Sequence, residues 1–554
     1  MFTEPPMRHP THLDSTTPTI AEHAMTNSSG DPIAVGPWWE QAVVYQIYPR
    51  SFADSDGDGV GDLRGIASRL DYLVDLGVDA IWLSPFYPSP MADFGYDVAE
   101  FCDVDPAFGS LADFDRLVAE AHERNLKVVV DYVPNHTSDR HPWFVASRSG
   151  RGDPKRSWYV WRDPAPDGGA PNNWRRAFSD EPAWTFDDAT GQYYLHLFLA
   201  EQPDLDWNEV EVQQAMGDVL RFWMDRGVDG FRADVVHCIG KGPDLPDAPE
   251  GLAGLPACIF DHGPGTHEQI RVLRRIVDGD SPGEHLLLGE TAVFDRDQQL
   301  SYLGEGDELH LGFNFLFLHA QWSAAAWRQE LQAAIEGHGR LGAWPTWVLS
   351  NHDVRRHRTR YGSDARARAA AVALLSLRGT PFLYQGEELG LEDAVVPPER
   401  VLDPGGRDGC RAPIPWESDR LAGWPEYSWL PLPPDAAAHS VAAEIDDPGS
   451  MLSHYKRLLR VRRELEVLRS GGIELLDAPD QVVRWRRFLG DPGGDRGAGV
   501  VAEVEVAVNF GSEPVPDAMR PGRLVAGSRP SEEFPGARAG ATLGPDEARI
   551  VVPE

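Results

Sequence analysis

The sequence predicts a parallel (β/α)8 barrel of the TIM type, with a small domain inserted after its third strand and an antiparallel β domain at its C-terminal end. Eight short apolar runs alternate with amphipathic stretches, one long irregular segment interrupts them, and the patterning changes to strict alternation after residue 470. The runs are VVYQIYP (43–49), AIWLSP (80–85), KVVVDYV (127–133), GFRADVV (230–236), HLLLGET (285–291), LHLGFNF (309–315), TWVLSNH (346–352) and PFLYQGE (381–387). They are apolar without alternation, as strands covered on both faces of a parallel sheet are. Eight strand and helix units in succession give the barrel.

Between the runs lie helix candidates such as SLADFDRLVAEAHERN (110–125), where Ser110 can cap the first turn and Asp113 occupies the third helical position. The third and fourth runs are separated by about ninety residues rather than one helix, rich in Trp, Pro, Asn and Gly (HPWF, RSWYVWRDP, PNNWRRAF), which reads as an inserted unit on the barrel's C-terminal rim. After a last barrel helix, SMLSHYKRLLRVRREL (450–465), the runs QVVRWRRFL and GVVAEVEVAVNF alternate between turns of Gly, Pro and Asp, as in a compact antiparallel domain. The expected organisation is a disordered tail over 1–36, the catalytic barrel over 37–134 and 207–470, the inserted domain over 135–206 and the C-terminal β domain over 471–554.

At 554 residues, 42% apolar and 10% aromatic, the chain can bury a large core. Its formal net charge of −36 repels phosphate backbones and anionic lipid, so neither nucleic acid nor a membrane surface is an expected partner. A neutral substrate fits better. Cys102, Cys238, Cys258 and Cys410 form no CxxC pair and read as free thiols. Residues 1–36 lack the pattern of a signal peptide, no apolar run reaches the ~18 residues of a membrane span, and cytoplasmic residence is expected. Met25 is an alternative start to Met1. Oligomeric state is not legible.

Asp234, Glu290 and Asp353 each stand at the C-terminal end of a predicted barrel strand, where such barrels gather their chemistry. Cleaving a glycosidic bond takes one carboxyl that protonates the leaving oxygen and another that attacks or activates water. A lone acidic residue there is more simply a cap or a surface charge. Three on separate strands are costly to desolvate unless paired or used. Arg232 lies two residues before Asp234, so both side chains face one way, and Arg232 is expected to hold Asp234 ionised.

The blocks DYVPNH (131–136), GFRADVVH (230–237), GET (289–291) and SNHD (350–353), in this order, resemble the α-amylase family of glycoside hydrolases (family thirteen), and the resemblance spans nearly all of residues 38–515. It implies Asp234 as nucleophile, Glu290 as general acid/base and Asp353 as the third carboxylate that stabilises the distorted transition state. His136 and His352 would bind sugar hydroxyls. QPDLDW (202–207), PNNWRRAFSDEPAW (171–184) and GRDGCRAPIPW (406–416) are similar to segments of the α-glucosidase and oligo-1,6-glucosidase branch, with Asp206 in place of Asn and with Gly406, Gly409 and Ile414 as departures. By that resemblance Phe178 lines the pocket, Arg407 pairs with Asp93 to close it around one terminal glucose, and Tyr96 stacks on the sugar. Asp93, Tyr96, His136, Phe178, Arg232, His352 and Arg407 thus form the expected substrate-binding set.

DSDGDGVGD (54–62) places Asp54, Asp56, Asp58 and Asp62 at alternating positions, with glycines for a tight loop and the Val60 carbonyl between them. Oxygen donors at this spacing suit a structural Ca²⁺, or Mg²⁺, although Gly65 at position twelve departs from an EF-hand. The alternative is a solvated acidic turn. The block matches the single metal loop of the same branch, and no organic cofactor is expected.

The expected activity is that of a retaining, exo-acting α-glucosidase releasing glucose from the non-reducing end of short, maltose-like α-glucosides. Val235, next to the nucleophile, correlates in part of the branch with α-1,6 preference, whereas the continuation HCIGKGPDLPDAP (237–249) looks more like a subgroup active on α-1,4 bonds. His237 could reach the leaving-group side or pack beneath its loop. Alternatives are an oligo-1,6-glucosidase and a transglucosylase or isomerase of the trehalose or isomaltulose synthase type. A non-catalytic binding relative is disfavoured by the three retained carboxylates.

Overall fold

The computed structural model describes residues 36–260, 262–279, 283–293, 295–403, 405–490, 501–530 and 538–554. Trp38–Glu554 forms one compact unit. The tail and the alternative start at Met25 lie outside the described residues, residue 36 apart.

The strands are, in chain order, β1 (Val44–Ile47), β2 (Ala80–Leu83), β3 (Lys127–Tyr132), β4 (Trp161–Arg162), β5 (Trp184–Asp187), β6 (Gln192–Leu195), β7 (Gly230–Ala233), β8 (Leu286–Gly289), β9 (Leu311–Gly312), β10 (Thr346–Val348), β11 (Thr380–Tyr384), β12 (Gly472–Leu476), β13 (Val482–Phe488), β14 (Glu503–Asn509), β15 (Gly522–Gly527), β16 (Arg538–Ala539) and β17 (Ala548–Pro553). Eight pair in parallel in the order β10-β11-β1-β2-β3-β7-β8-β9, each within one of the eight apolar runs except that β11 starts one residue earlier, at Thr380. Strands β1, β2, β7, β8, β10 and β11 are buried at every residue, which is why their sequences do not alternate. At the seam between β9 and β10 a side chain replaces the ladder: Thr346 Oγ1 donates to the Gly312 carbonyl at 2.8 Å and accepts from Asn314 N–H at 3.2 Å.

Helices cover the barrel as the periodicity requires. Leu111–Glu123 begins at Ser110, whose Oγ accepts from Asp113 N–H and donates to the Asp113 carboxylate at 2.7 Å, and it buries Phe114, Leu117, Val118 and Ala121 on one face. The helix Asp364–Ser376 is buried over all of Ala367–Ser376, because it is packed by the helix Met451–Glu464 and by the C-terminal sheet. Its run of alanines permits that close approach. The C-terminal sheet is antiparallel, in the order β12-β13-β14-β17-β15-β16.

Within residues 135–206, β4, β6 and β5 make a small antiparallel sheet. The segment leaves and rejoins the barrel at one place: His136 bridges Asp204, and Leu205 N–H donates to the Asn135 carbonyl at 2.9 Å. Its apolar core of Val160, Trp174, Ala183, Trp184, Leu195 and Leu197 also takes in Val235, Leu245 and Ala257 from the loop after β7. The insertion therefore braces the chain beside Asp234.

Beyond β11 the buried Glu387 and Glu388 are held by tyrosines. Tyr455 OH donates to Glu387 at 3.0 Å, and Tyr45 OH and Tyr72 OH both donate to Glu388 Oε1 at 2.7 Å. Burial pushes the Glu387 carboxyl up to about 8. Because the folded state then binds a proton that the unfolded chain releases above the usual glutamate value, stability falls as pH rises from about 4.5 towards 8. Glu387→Gln, which keeps the Tyr455 bond, is expected to leave stability at pH 4.5 near wild type and to raise it at pH 8 by on the order of 3 kcal/mol. Urea unfolding at both pH values measures this, and an equal effect at both would refute it.

Candidate active site

The chain bends sharply where β7 ends. Val235 takes the left-handed conformation at φ 34° and ψ 41°, which costs a β-branched residue about 1–3 kcal/mol. The bend turns Val235 N–H onto Glu290 Oε2 at 3.2 Å, so this strained residue ties the end of β7 to the end of β8.

Arg232, 1% exposed, is the hub beneath these strand ends. Its Nη1 donates to Asp131 Oδ1 at 2.6 Å and to Asp234 Oδ1 at 2.7 Å, and its Nη2 donates to Glu290 Oε2. Arg232 and the Val235 N–H thus hold the Asp234 and Glu290 side chains at the neighbouring ends of β7 and β8.

The expectation that Arg232 keeps Asp234 ionised needs correction. Burial, with Glu290 and Asp131 close by, pushes the Asp234 carboxyl well above the usual range, and Arg232 offsets this only in part. One guanidinium is shared among three carboxylates. The Asp234 carboxyl is therefore harder to ionise than a solvated one. Nor does Arg232 line the cavity; it holds the carboxylates from behind.

Asp353 shows the opposite balance. Burial would raise its carboxyl, but the neighbouring His352 N–H and the charges of Arg407 and Arg411 outweigh it and hold it well below the usual range. Arg407 Nη1 reaches Asp353 Oδ1 at 3.0 Å and Arg411 Nη2 reaches the same oxygen at 3.1 Å. His352 is kept neutral, its pKa pushed down to about 3 by burial. The amide of Gln46 lies 2.7 Å from its Nδ1, which assigns the proton to Nε2, facing Tyr96 OH at 2.6 Å and Asp353 Oδ2 at 3.2 Å. Tyr96 stacks on the His352 ring, with centroids 5.4 Å apart and planes 9° from parallel. Like Arg232, His352 stands behind the cavity wall.

The cavity itself, about 270 Å³, is lined by Asp93, Tyr96, His136, Phe178, Phe198, Asp234, Val235, Glu290, Ala292, Asp353, Gly405 and Arg407. Arg407 closes one side: Nη2 reaches Asp93 Oδ1 at 2.5 Å and Asp403 Oδ1 at 2.6 Å, and the guanidinium lies 4.6 Å from the centroid of the Phe178 ring. The pairing of Arg407 with Asp93 matches the sequence expectation. Gln202, the first residue of QPDLDW, donates to Asp93 Oδ2 at 3.0 Å and approaches His136 Nε2 at 3.1 Å, so the insertion's return strand locks two wall residues together. His237 is fully buried, with Nε2 2.9 Å from the Cys258 carbonyl and Nδ1 3.4 Å from that of Glu290, which places it under the loop and away from substrate.

Sequence reasoning assigned no role to Gln202, Asp131, Asp403, Arg411 or Trp82, whose Nε1 donates to Asp131 Oδ2 at 2.9 Å. Gln202, Asp131 and Arg411 lie inside the quoted blocks, yet one-dimensional spacing does not say which of them meet.

In the acidic loop, carboxylate oxygens of Asp54, Asp56 and Asp58 come within 4.8 Å of one another. Gly57 and Gly59 make the turn at φ 84° and 91°. Asp54 also accepts N–H bonds from Gly57 at 2.7 Å and Gly59 at 2.8 Å. Asp62 stands apart from the three: Oδ1 caps a helix through Gly65 N–H at 2.7 Å, and Oδ2 accepts from Ser55 N–H at 2.9 Å and Ser55 Oγ at 2.8 Å. Val60 donates its N–H to Asp58 at 2.8 Å on the same turn. The donor set is all oxygen, the chemistry a hard divalent cation takes.

A barrel whose strand ends gather these carboxylates has the layout of a glycosidase, and residues 46–471 match the family model described as the α-amylase catalytic domain. The chain belongs to the α-amylase family and is a glycoside hydrolase. It is 42% identical over 491 residues, covering 82% of this chain and 88% of the other, to a probable α-glucosidase of Rhizobium meliloti (strain 1021). It is 37% identical over 507 residues, 82% of this chain and 89% of the other, to the oligo-1,6-glucosidase of Parageobacillus thermoglucosidasius. The solved structure of an α-glucosyl transfer enzyme, XgtA, superposes with a TM-score of 0.82 at 40% identity, over 93% of this chain and all of that one. Among the described residues no helix is long and apolar enough to cross a membrane, and Cys102 and Cys410 are free thiols.

Proposed function

We propose that this protein is a retaining, exo-acting α-glucosidase that releases glucose from the non-reducing end of short α-glucosides, with α-1,4 bonds preferred. The observation that carries the reading is Arg407 joined to Asp93 and Asp353 across one side of a cavity of about 270 Å³. A pocket closed there accepts one sugar ring and leaves the rest of the chain to extend outward. Asp234 attacks the anomeric carbon while Glu290 protonates the leaving oxygen; Glu290 then takes a proton from water, which releases α-glucose. Asp353, kept ionised by its arginines, supports positive charge developing on the ring and receives sugar hydroxyls together with His136. Initial rates on maltose, isomaltose, sucrose, trehalose and maltotriose test the reading. Glucose from maltose as the main product supports it, and inert maltose with rapid isomaltose cleavage would favour the oligo-1,6-glucosidase alternative that Val235 suggests.

Transfer to a sugar acceptor is the second reading, supported by the likeness to the α-glucosyl transfer enzyme. New disaccharides exceeding free glucose on concentrated maltose or sucrose would establish it. Cytoplasmic residence, consistent with free thiols at Cys102 and Cys410, completes the proposal.

One structural divalent cation, Ca²⁺ or Mg²⁺, is proposed on Asp54, Asp56 and Asp58. The loop supports the fold at a distance, since Gly59 O accepts from Trp429 N–H at 3.0 Å and Trp429 stacks near Tyr48 under the site. Chelation with EDTA is expected to lower Tm by several degrees, with recovery on adding Ca²⁺. No shift, or the same shift in Asp56→Asn/Asp58→Asn, would remove the ion from the proposal.

A further inference from the structure

At the opposite end of the barrel from the carboxylates a second cavity, of about 380 Å³, opens among the residues that precede strands β1, β2 and β3. Four cationic side chains line it, Lys127, Arg462, Arg463 and Arg469, against the single carboxylate of Asp79. This is unexpected in a chain of net charge −36. Lys127 is paired with Asp229 at 2.7 Å, and Arg463 reaches Asp79 at 3.2 Å. Arg462, 2% exposed, spends both Nη groups on carbonyls at the C-terminal end of the helix Asp364–Ser376, those of Leu375 at 2.9 Å, Leu377 at 3.2 Å and Gly379 at 2.8 Å. Its Nε has no acceptor among the described residues, and neither has the buried Nε of Arg469.

The deficit of negative charge extends inward. Arg487, fully buried, meets only carbonyls, of Ser376 and Leu468 at 2.8 Å, Gly471 at 2.7 Å and Gly472 at 3.0 Å. Burial pushes Arg462 down to about 10, with Asp79 opposing and Arg469 adding to the shift, and burial with Arg462 alongside holds Arg487 well below its usual value. Two buried guanidiniums hydrogen-bonded to carbonyls and to no carboxylate among the described residues, beside a cavity walled by more cations, concentrate positive charge here. Unsatisfied N–H donors on charged groups are costly to bury, and guanidinium geometry matches tetrahedral oxyanions.

We propose that this cavity is an anion site that binds a phosphate group, either as the free ion or carried on a small metabolite whose remainder packs against Trp38 and Leu459. It is independent of the catalytic pocket, because its residues lie at the N-terminal ends of the strands. Titration of the full chain with inorganic phosphate by calorimetry, in parallel with thermal unfolding against sodium chloride at matched ionic strength, tests it. Saturable binding and a Tm that climbs with phosphate concentration are expected. Arg469→Ala and Arg463→Ala are each expected to weaken phosphate by about tenfold while leaving turnover of an aryl α-glucoside unchanged. A parallel titration with glucose 6-phosphate separates the sources: tighter binding than phosphate assigns a sugar phosphate, weaker binding the free ion. No saturable binding beyond the chloride control, or wild-type affinity in both folded variants, would overturn the site.

Discussion

Asp234→Asn is expected to reduce kcat/KM for an aryl α-glucoside by about 10⁴-fold or more, equivalent to about 5.4 kcal/mol of barrier, without loss of stability at neutral pH. The second half of that expectation follows from the electrostatics of the site. Burial and Glu290 raise the Asp234 carboxyl above the usual range, so the ionised group opposes folding more strongly as pH rises above the ordinary carboxylate value. An uncharged isostere removes that penalty and still accepts from Arg232. A variant that is inactive and as stable as wild type, or more so, identifies a group used in chemistry. One that loses several kcal/mol of stability would show that Asp234 serves the fold. Asp234→Gly with added azide sharpens the test: recovery of turnover as a β-glucosyl azide requires the nucleophile's position to be open on the face opposite the leaving group. Formation of α-glucose first in the wild type, read by NMR, checks retention.

Arg407→Ala is expected to lower kcat/KM on maltose by about 10³-fold, mostly through KM, and to cost roughly 3 kcal/mol of stability. One side chain joins Asp93, Asp353 and Asp403 and packs on Phe178, so its removal leaves buried carboxylates unpaired and opens the cavity wall. Arg411 still holds Asp353 at 3.1 Å, which is why kcat should fall less than KM rises. Arg407→Lys restores charge but not the branched contact with two carboxylates, so partial recovery of stability with little recovery of KM is expected. If KM for maltose stays at the wild-type value in Arg407→Ala, the residue does not close the pocket.

Much of this molecule is legible in residue order. All eight barrel strands coincide with the apolar runs, β11 to within one residue, because a strand buried on both faces must be largely apolar. Ser110 starts its helix where the hydroxyl and Asp113 predict. Asp234, Glu290 and Asp353 meet at one cavity because strand ends of a parallel barrel all open on the same face. These are short-range or periodic properties, and each leaves a trace in local sequence.

Other features depend on which distant segments touch. Arg232 seemed a neighbour serving Asp234 alone; packing gives it Asp131 and Glu290 as well, so burial outweighs it and the sign of the Asp234 shift reverses. Gln202 acquires its place only when a segment 109 residues from Asp93 folds back, and Arg411 only when loops 58 residues apart converge on Asp353. His237, open between two positions in the sequence, is settled by the Cys258 carbonyl arriving over it. The cationic cavity beneath the barrel has no motif, since Lys127, Arg462, Arg463 and Arg469 are ordinary surface-type residues until the folded chain brings them together around one cavity. Residue types and periods carry fold and chemistry because backbone geometry is local. Charge balance and pocket shape are sums over groups that only the folded chain brings within a few ångströms.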